Sequence, residues 1–115
     1  MRSAALLVEG VATSATAGAT FDRLNPLSRA LVTRAAAASV ADAEHAANVA
    51  ARAFAVWSVT PPGERRAVLS RAADILLDRS EDFCALITAE TGGTRRWGEF
   101  NCFYGASILR EAASM

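Results

Sequence analysis

The chain has 115 residues, the size of one small domain, and its 12 basic and 12 acidic side chains cancel to a formal net charge of +0. That balance, with scattered arginines and no basic block or acidic tail, excludes the electrostatic footprint of a nucleic-acid-binding domain. No apolar run approaches the ~18 residues of a membrane span, and the run ending at Val8 is cut by Glu9 and Gly10, short of the ~7–15 apolar residues of a secretory signal, so a soluble, cytoplasmic protein is expected.

Residues 1–36 read as strands and turns. Leu6-Leu7-Val8 is a plausible strand and Gly10 a turn, while residues 13–19 are small and read as loose chain. Thr20 to Leu24 mixes apolar and polar residues as a half-buried strand does. Asn25-Pro26-Leu27-Ser28-Arg29 then forms a turn, because proline fixes φ and asparagine bonds its own backbone. An extended pattern resumes over residues 30–34, which predicts a β-hairpin with a longish loop.

Helical patterns occupy residues 37–115. Ser39 and Asp42 stand three apart, close to a capping box. Ala43, Ala46, Ala47, Ala50, Phe54 and Trp57 follow at helical spacing, with Phe54 and Trp57 expected to supply most of the buried area. At the next boundary Thr60 is the expected N-cap and Pro61 the first helical residue, with Glu64 at the positive end of the dipole. Val68, Leu69, Ala72, Ala73 and Leu76 form the apolar face of this second helix. Ser80 is expected to cap a third helix striped by Phe83, Leu86 and Ile87, and Gly92-Gly93 to end it, since glycine accepts the left-handed conformation. A fourth helix runs from Arg95 or Arg96, with Trp97, Phe100, Tyr104 and Ile108 on one side. That apolar face is large for so small a chain and no stop signal precedes Met115, as in a chain that ends in mid-structure. Much of the apolar content is alanine, which buries few methylenes at ~0.8 kcal/mol each, so an isolated chain is expected to be loosely folded or self-associated.

No side chain stands out as catalytic, cofactor-binding or metal-ligating. Cys84 and Cys102 form no CxxC pair, which argues against a disulfide framework or zinc site and for a reducing compartment. Each lies among apolar neighbours, which suits a small buried hydrophobe better than a nucleophile. His45, the single histidine, falls on the polar side of the first helix, as a solvated residue would. Glu90 stands where a helix ends, which suits a capping or structural role. Gly92-Gly93 is not GxGxxG and no strand runs into it, so a dinucleotide turn fails on context. Arg95-Arg96 at a helix start read as solvated, and Trp57 and Trp97 as core or interface anchors.

The succession of landmarks nevertheless resembles a known family. Asn25-Pro26 after a Phe-containing strand, Ala38-Ser39-Val40-Ala41-Asp42, Ala53-Phe54 with Trp57, Pro62-Gly63-Glu64-Arg65-Arg66 with Leu69 and Ala72-Ala73-Asp74, and Glu90-Thr91-Gly92 are similar to the opening of NAD(P)-dependent aldehyde dehydrogenases. Thr88-Ala89-Glu90-Thr91-Gly92, followed by Trp97, Phe100-Asn101 and Leu109-Arg110-Glu111-Ala112-Ala113, resembles the salicylaldehyde, vanillin and benzaldehyde dehydrogenase branch. Gly93 stands where many members have lysine, a residue that this branch often lacks. The resemblance implies an α/β parent fold in which this mainly α-helical segment, with its N-terminal β-hairpin, is an incomplete part of the NAD(P)-binding domain. It also implies a homo-oligomeric enzyme that oxidises an aldehyde to the acid. There a cysteine thiolate attacks the carbonyl, an asparagine and a backbone N–H hold the oxyanion, hydride passes to NAD or NADP, and a glutamate activates water. Those residues lie downstream of everything matched here. The expectation is therefore a segment that neither catalyses nor binds the cofactor and whose partner is the remainder of the dehydrogenase chain. The alternative is a non-catalytic helical interaction module or a degenerate gene remnant.

Overall fold

The computed structural model describes residues 1–115. The chain forms two compact units, Met1–Val59 and Thr60–Met115.

In the first unit, β1 (Arg2–Ala4), β2 (Leu6–Val8), β3 (Val11–Thr13), β4 (Thr20–Leu24) and β5 (Leu31–Ala36) precede α1 (Val40–Trp57). β2 and β3 form a hairpin in which Val8 pairs with Val11. Only Glu9 and Gly10 lie between them, both at positive φ (56° and 77°), as a two-residue I′ turn demands. The second strand of this hairpin and β1 both escape pattern reading, being three residues each with an alanine inside and no apolar alternation. Residues 16–18 close into a short 3-10 turn. β5 lies between β1, to which it is parallel, and β4, to which it is antiparallel. The expected β4–β5 hairpin is thus present, its loop held by Asn25, whose Oδ1 accepts from the N–H groups of Leu27 (2.9 Å) and Ser28 (2.8 Å). Across the hairpin, Asp22 and Arg34 form a two-pronged pair at 2.7 and 3.1 Å. β4 is exposed along its whole length within this chain, not half-buried.

α1 begins with the expected capping box. Ser39 Oγ accepts from the Asp42 N–H (3.1 Å) and Asp42 Oδ2 accepts from the Ser39 N–H (2.8 Å). The Asp42 carboxylate also accepts from the N–H (3.1 Å) and hydroxyl (2.8 Å) of Thr16, which ties the helix start to the 3-10 turn. The strand-to-helix change falls after residue 36, but α1 lies in the strand-bearing unit, which ends at Val59, and the Thr16–Asp42 tie joins it there. The expected α1 stripe is corrected: Val49 is its buried residue, whereas Phe54 and Trp57 are 64% and 40% exposed.

The second unit is three helices, α2 (Pro62–Asp78), α3 (Ser80–Thr91) and α4 (Arg95–Ser114), with α4 packing on both others. α2 starts one residue later than expected. Pro61 is the N-cap at ψ 139° and Pro62 the first helical residue, with no side-chain cap. A proline keeps the residue before it extended, so of two consecutive prolines only the second can open the helix. Likewise Ser80 lies inside α3, and Arg79 serves as both the end of α2 and the N-cap of α3 without a side-chain bond. α3 ends at Gly92 (φ 71°), as its sequence foretells. Thr94 caps α4 by accepting from the Trp97 N–H (3.2 Å).

The core of this unit is built from small side chains: Ala73 of α2, Cys84 of α3, and Gly98, Cys102, Ala106 and Ala113 of α4. A Cβ on Gly98 would lie 3.0 Å from both Cα and Sγ of Cys84, so glycine lets α4 reach the backbone of α3. Further along, Arg66 Nε donates to the Ala113 carbonyl (3.1 Å), satisfying one of the last acceptors of α4 from α2.

Two measurements check this account. Gly98→Ala is expected to destabilise the chain by about 1–3 kcal/mol in denaturant unfolding, as overpacking against backbone does, while Gly63→Ala, with no atom within 4 Å of the added methyl, is expected to be neutral or slightly stabilising. The bonds at α1 hold the Asp42 carboxyl well below its usual value of 3.8, those from Ser39 and Thr16 backbone and hydroxyl groups being the cause. A depressed carboxyl stabilises the fold fully above its unfolded value and progressively less as pH falls below it. The Tm difference between wild type and Asp42→Asn is therefore expected to be present at neutral pH and to shrink as pH is lowered through 3.8.

Candidate functional site

Each sequence candidate has a definite place. Cys84 and Cys102 are 2% and 4% exposed and both are free thiols. They meet between α3 and α4: burial pushes the Cys102 thiol up, and the neighbouring Cys84 thiol pushes it further in the same direction. The burial of both side chains is what the buried-hydrophobe reading of each expects. Their adjacency is not readable from either helix alone and follows from the turn between them. Cys84 lies eight residues before Gly92 (92 − 84) and Cys102 nine after Gly93 (102 − 93), so folding about that turn sets them opposite each other.

His45 is exposed on α1 and borders an open hollow with Leu6, Val8, Glu9, Val11 and Asp42. The Asp42 carboxylate beside it is already engaged by Ser39 and Thr16, so it does not act as the orienting partner that a catalytic histidine needs. Glu90 is half-buried in the last turn of α3. Arg95 spans the helix pair, bonding both carboxylate oxygens of Glu81 and, at 2.8 Å, Glu99. These contacts raise its pKa, Glu81 first, and they occupy its guanidinium, so the Arg95-Arg96 pair offers one exposed arginine rather than a clamp. No group of three or more His, Cys, Asp or Glu side chains is placed to hold a metal ion. No helix is long and apolar enough to cross a membrane.

The Gly92-Gly93 turn does not fit a dinucleotide phosphate. Gly92-Gly93 follows a helix, Gly93 N–H donates to Thr91 Oγ1 (3.1 Å), and the Gly92 N–H donates to the Thr88 carbonyl (3.0 Å), so these amides are consumed in closing α3. A phosphate cradle needs such N–H groups free and a strand leading into the turn.

What the second unit does present is an aromatic face. Trp97, Phe100 and Tyr104 stack in sequence along α4, with ring centroids 5.6 Å apart at each step. With Phe103 and Ile108 they are all more than half exposed. The side that sequence periodicity marks as the apolar face of α4 is therefore the one turned away from α2 and α3, and Trp97 is not a core residue; nor is Trp57.

The architecture and its landmarks coincide with those of one family. The family model for the aldehyde dehydrogenase family matches residues 12–115, and the chain belongs to that family. Within it the chain is similar to enzymes named for aromatic aldehydes. It is 47% identical over 110 residues to vanillin dehydrogenase of Pseudomonas sp. strain HR199, which covers 96% of this chain and 23% of that protein. The crystal structure of a salicylaldehyde dehydrogenase from Pseudomonas putida G7, complexed with salicylaldehyde, superimposes with a TM-score of 0.96 at 32% identity over 99% of this chain and 24% of that one. An NAD-dependent benzaldehyde dehydrogenase from Corynebacterium glutamicum gives 0.87 at 29%, over 94% and 24%. The chain thus spans about a quarter of the length of the relatives it matches.

The division of α4 into two faces makes a measurable distinction. Phe103→Ser, at a position 66% exposed, is expected to change stability by less than about 0.5 kcal/mol and to reduce self-association. Ala106→Leu, at a position 1% exposed, is expected to cost about 1–3 kcal/mol by overpacking.

Proposed function

We propose that this chain is the amino-terminal quarter of an oxidoreductase that converts an aromatic aldehyde to its carboxylic acid with NAD(P)+, and that its part in that enzyme is structural. The observation that carries this reading is the length of the match: nearly all of this chain corresponds to about a quarter of a vanillin dehydrogenase. The burial of both thiols and the use of the Gly92 and Gly93 amides within α3 support a scaffold that leaves the chemistry to other residues.

Bound NAD(P)+ supplies the hydride acceptor in such a reaction, and no residue of this chain is assigned to it. What this chain's residues do is hold three helices together and present Trp97, Phe100, Phe103, Tyr104 and Ile108 to a neighbour. Aromatic side chains carry a large apolar area with little rotamer entropy to lose, so an exposed stacked row of them favours association. The proposed partner is the remainder of the dehydrogenase chain, in a homo-oligomeric enzyme.

The purified 115-residue chain is expected to show no NAD(P)+-dependent oxidation of vanillin, salicylaldehyde or benzaldehyde and to self-associate in size-exclusion chromatography with light scattering. Co-expressed with a vanillin dehydrogenase from which the matching segment has been deleted, it is expected to restore soluble, active enzyme. Turnover by the chain alone would overturn the structural role. A monodisperse monomer with a sharp thermal transition, together with no rescue, would favour a self-contained interaction module instead.

A further inference from the structure

We propose that Cys84 and Cys102 are a redox-responsive thiol pair that closes, on exposure to a peroxide, into a disulfide pinning α3 to α4. The pair sits at the tightest approach of the two helices, where Gly98 brings the α4 backbone against Cys84. Cys102 follows Gly98 by one helical turn on the same buried face. Helical side chains lean toward the helix N-terminus, so the Cys102 sulfur tips back toward the level of Gly98 and hence toward Cys84. The electrostatic influence of one thiol on the other is the expression of that closeness. Cys84 also forms part of the wall of an open cavity of about 260 Å³, shared with Glu81, Ala85, Thr88 and Arg95, whereas Cys102 does not line it, so Cys84 is the thiol that a small oxidant approaches first.

The chemistry balances with hydrogen peroxide as the two-electron oxidant. Cys84 gives up its proton and its sulfur attacks a peroxide oxygen. The O–O bond breaks, a sulfenic acid forms, and the departing hydroxide takes the proton as water. The Cys102 sulfur then attacks the Cys84 sulfur. The S–S bond forms, the S–O bond breaks, and the hydroxyl leaves with the Cys102 proton as a second water. The two sulfurs together lose two electrons and the peroxide oxygens gain them. The cross-link closes a loop through the Gly92-Gly93 turn and the start of α4, fixing the base of the Trp97–Phe100–Tyr104 row relative to α3.

The test is intact mass after treatment of the folded 115-residue chain with stoichiometric hydrogen peroxide, followed by unfolding and alkylation. Expected are a monomer lighter by about 2 Da that takes up no alkylating agent, reversal by dithiothreitol, and a higher Tm than the reduced chain. Because adjacency comes from the fold, disulfide formation is expected to be about tenfold or more faster in the folded chain than in guanidinium. Cys102→Ser is expected to stop oxidation at the sulfenic acid of Cys84, trapped by dimedone. Two thiols that remain fully alkylatable, a cross-link that forms no faster in the folded chain than in the unfolded one, or oxidation that yields only intermolecular dimers would overturn the proposal.

Discussion

The three-helix unit depends on one close approach. α4 can lie against both α2 and α3 only because it offers them a strip with almost no side-chain bulk: Gly98, Cys102, Gly105, Ala106 and Ala113. At Gly98 the helix meets the Cα of Cys84, and at Gly105 an added Cβ would lie 3.2 Å from Leu76. Close packing of backbone on backbone recovers in dispersion contacts what small side chains fail to supply in buried apolar area. It also makes the unit sensitive to single methyl groups, because no large side chain is available to rearrange; no such side chain is fully buried anywhere in the chain.

The same choice of residues decides what the opposite face of α4 must be. With the small residues turned inward, the large ones at Trp97, Phe100, Phe103, Tyr104 and Ile108 point outward. An exposed stacked aromatic row of this kind favours association. The polar contacts of the helices serve to fix orientation: Arg66 on the Ala113 carbonyl, Arg110 on Asp74 at 2.7 Å, and Arg95 on Glu81 and Glu99. The ion pairs among these are exposed and contribute little stability each; Arg95–Glu81 joins α4 to α3, Arg110–Asp74 joins α4 to α2, and Arg95–Glu99 lies within α4.

In the strand-bearing unit a single carboxylate does comparable work. Asp42 closes the capping box of α1 and simultaneously receives the backbone and hydroxyl of Thr16, so that helix start and 3-10 turn share one acceptor. Residues 13–19 are small and carry little patterning, and they are held by this contact together with the pairing of Thr13 with Leu6, the 3-10 turn bonds and the burial of Ala15.

The sequence by itself determined the features whose cause is local. The Ser39–Asp42 cap, the Asn25 turn, the left-handed stop at Gly92 and the existence of four helices all follow from neighbouring residues whose backbone demands do not depend on the rest of the molecule. The succession of those local signals was also enough to place the chain in its family. Only the tertiary structure decided which helix face is inside. Hydrophobic periodicity marks the larger apolar stripe as the core, and on both α1 and α4 the stripe with Phe54, Trp57, Trp97 or Tyr104 is the exposed one. Periodicity measures area, while the inward face here is selected by how closely two backbones can approach, a quantity that depends on a partner helix distant in sequence. The meeting of Cys84 with Cys102 has the same origin: each residue's surroundings are readable in its own helix, but their contact exists only once α3 and α4 fold together about Gly92-Gly93.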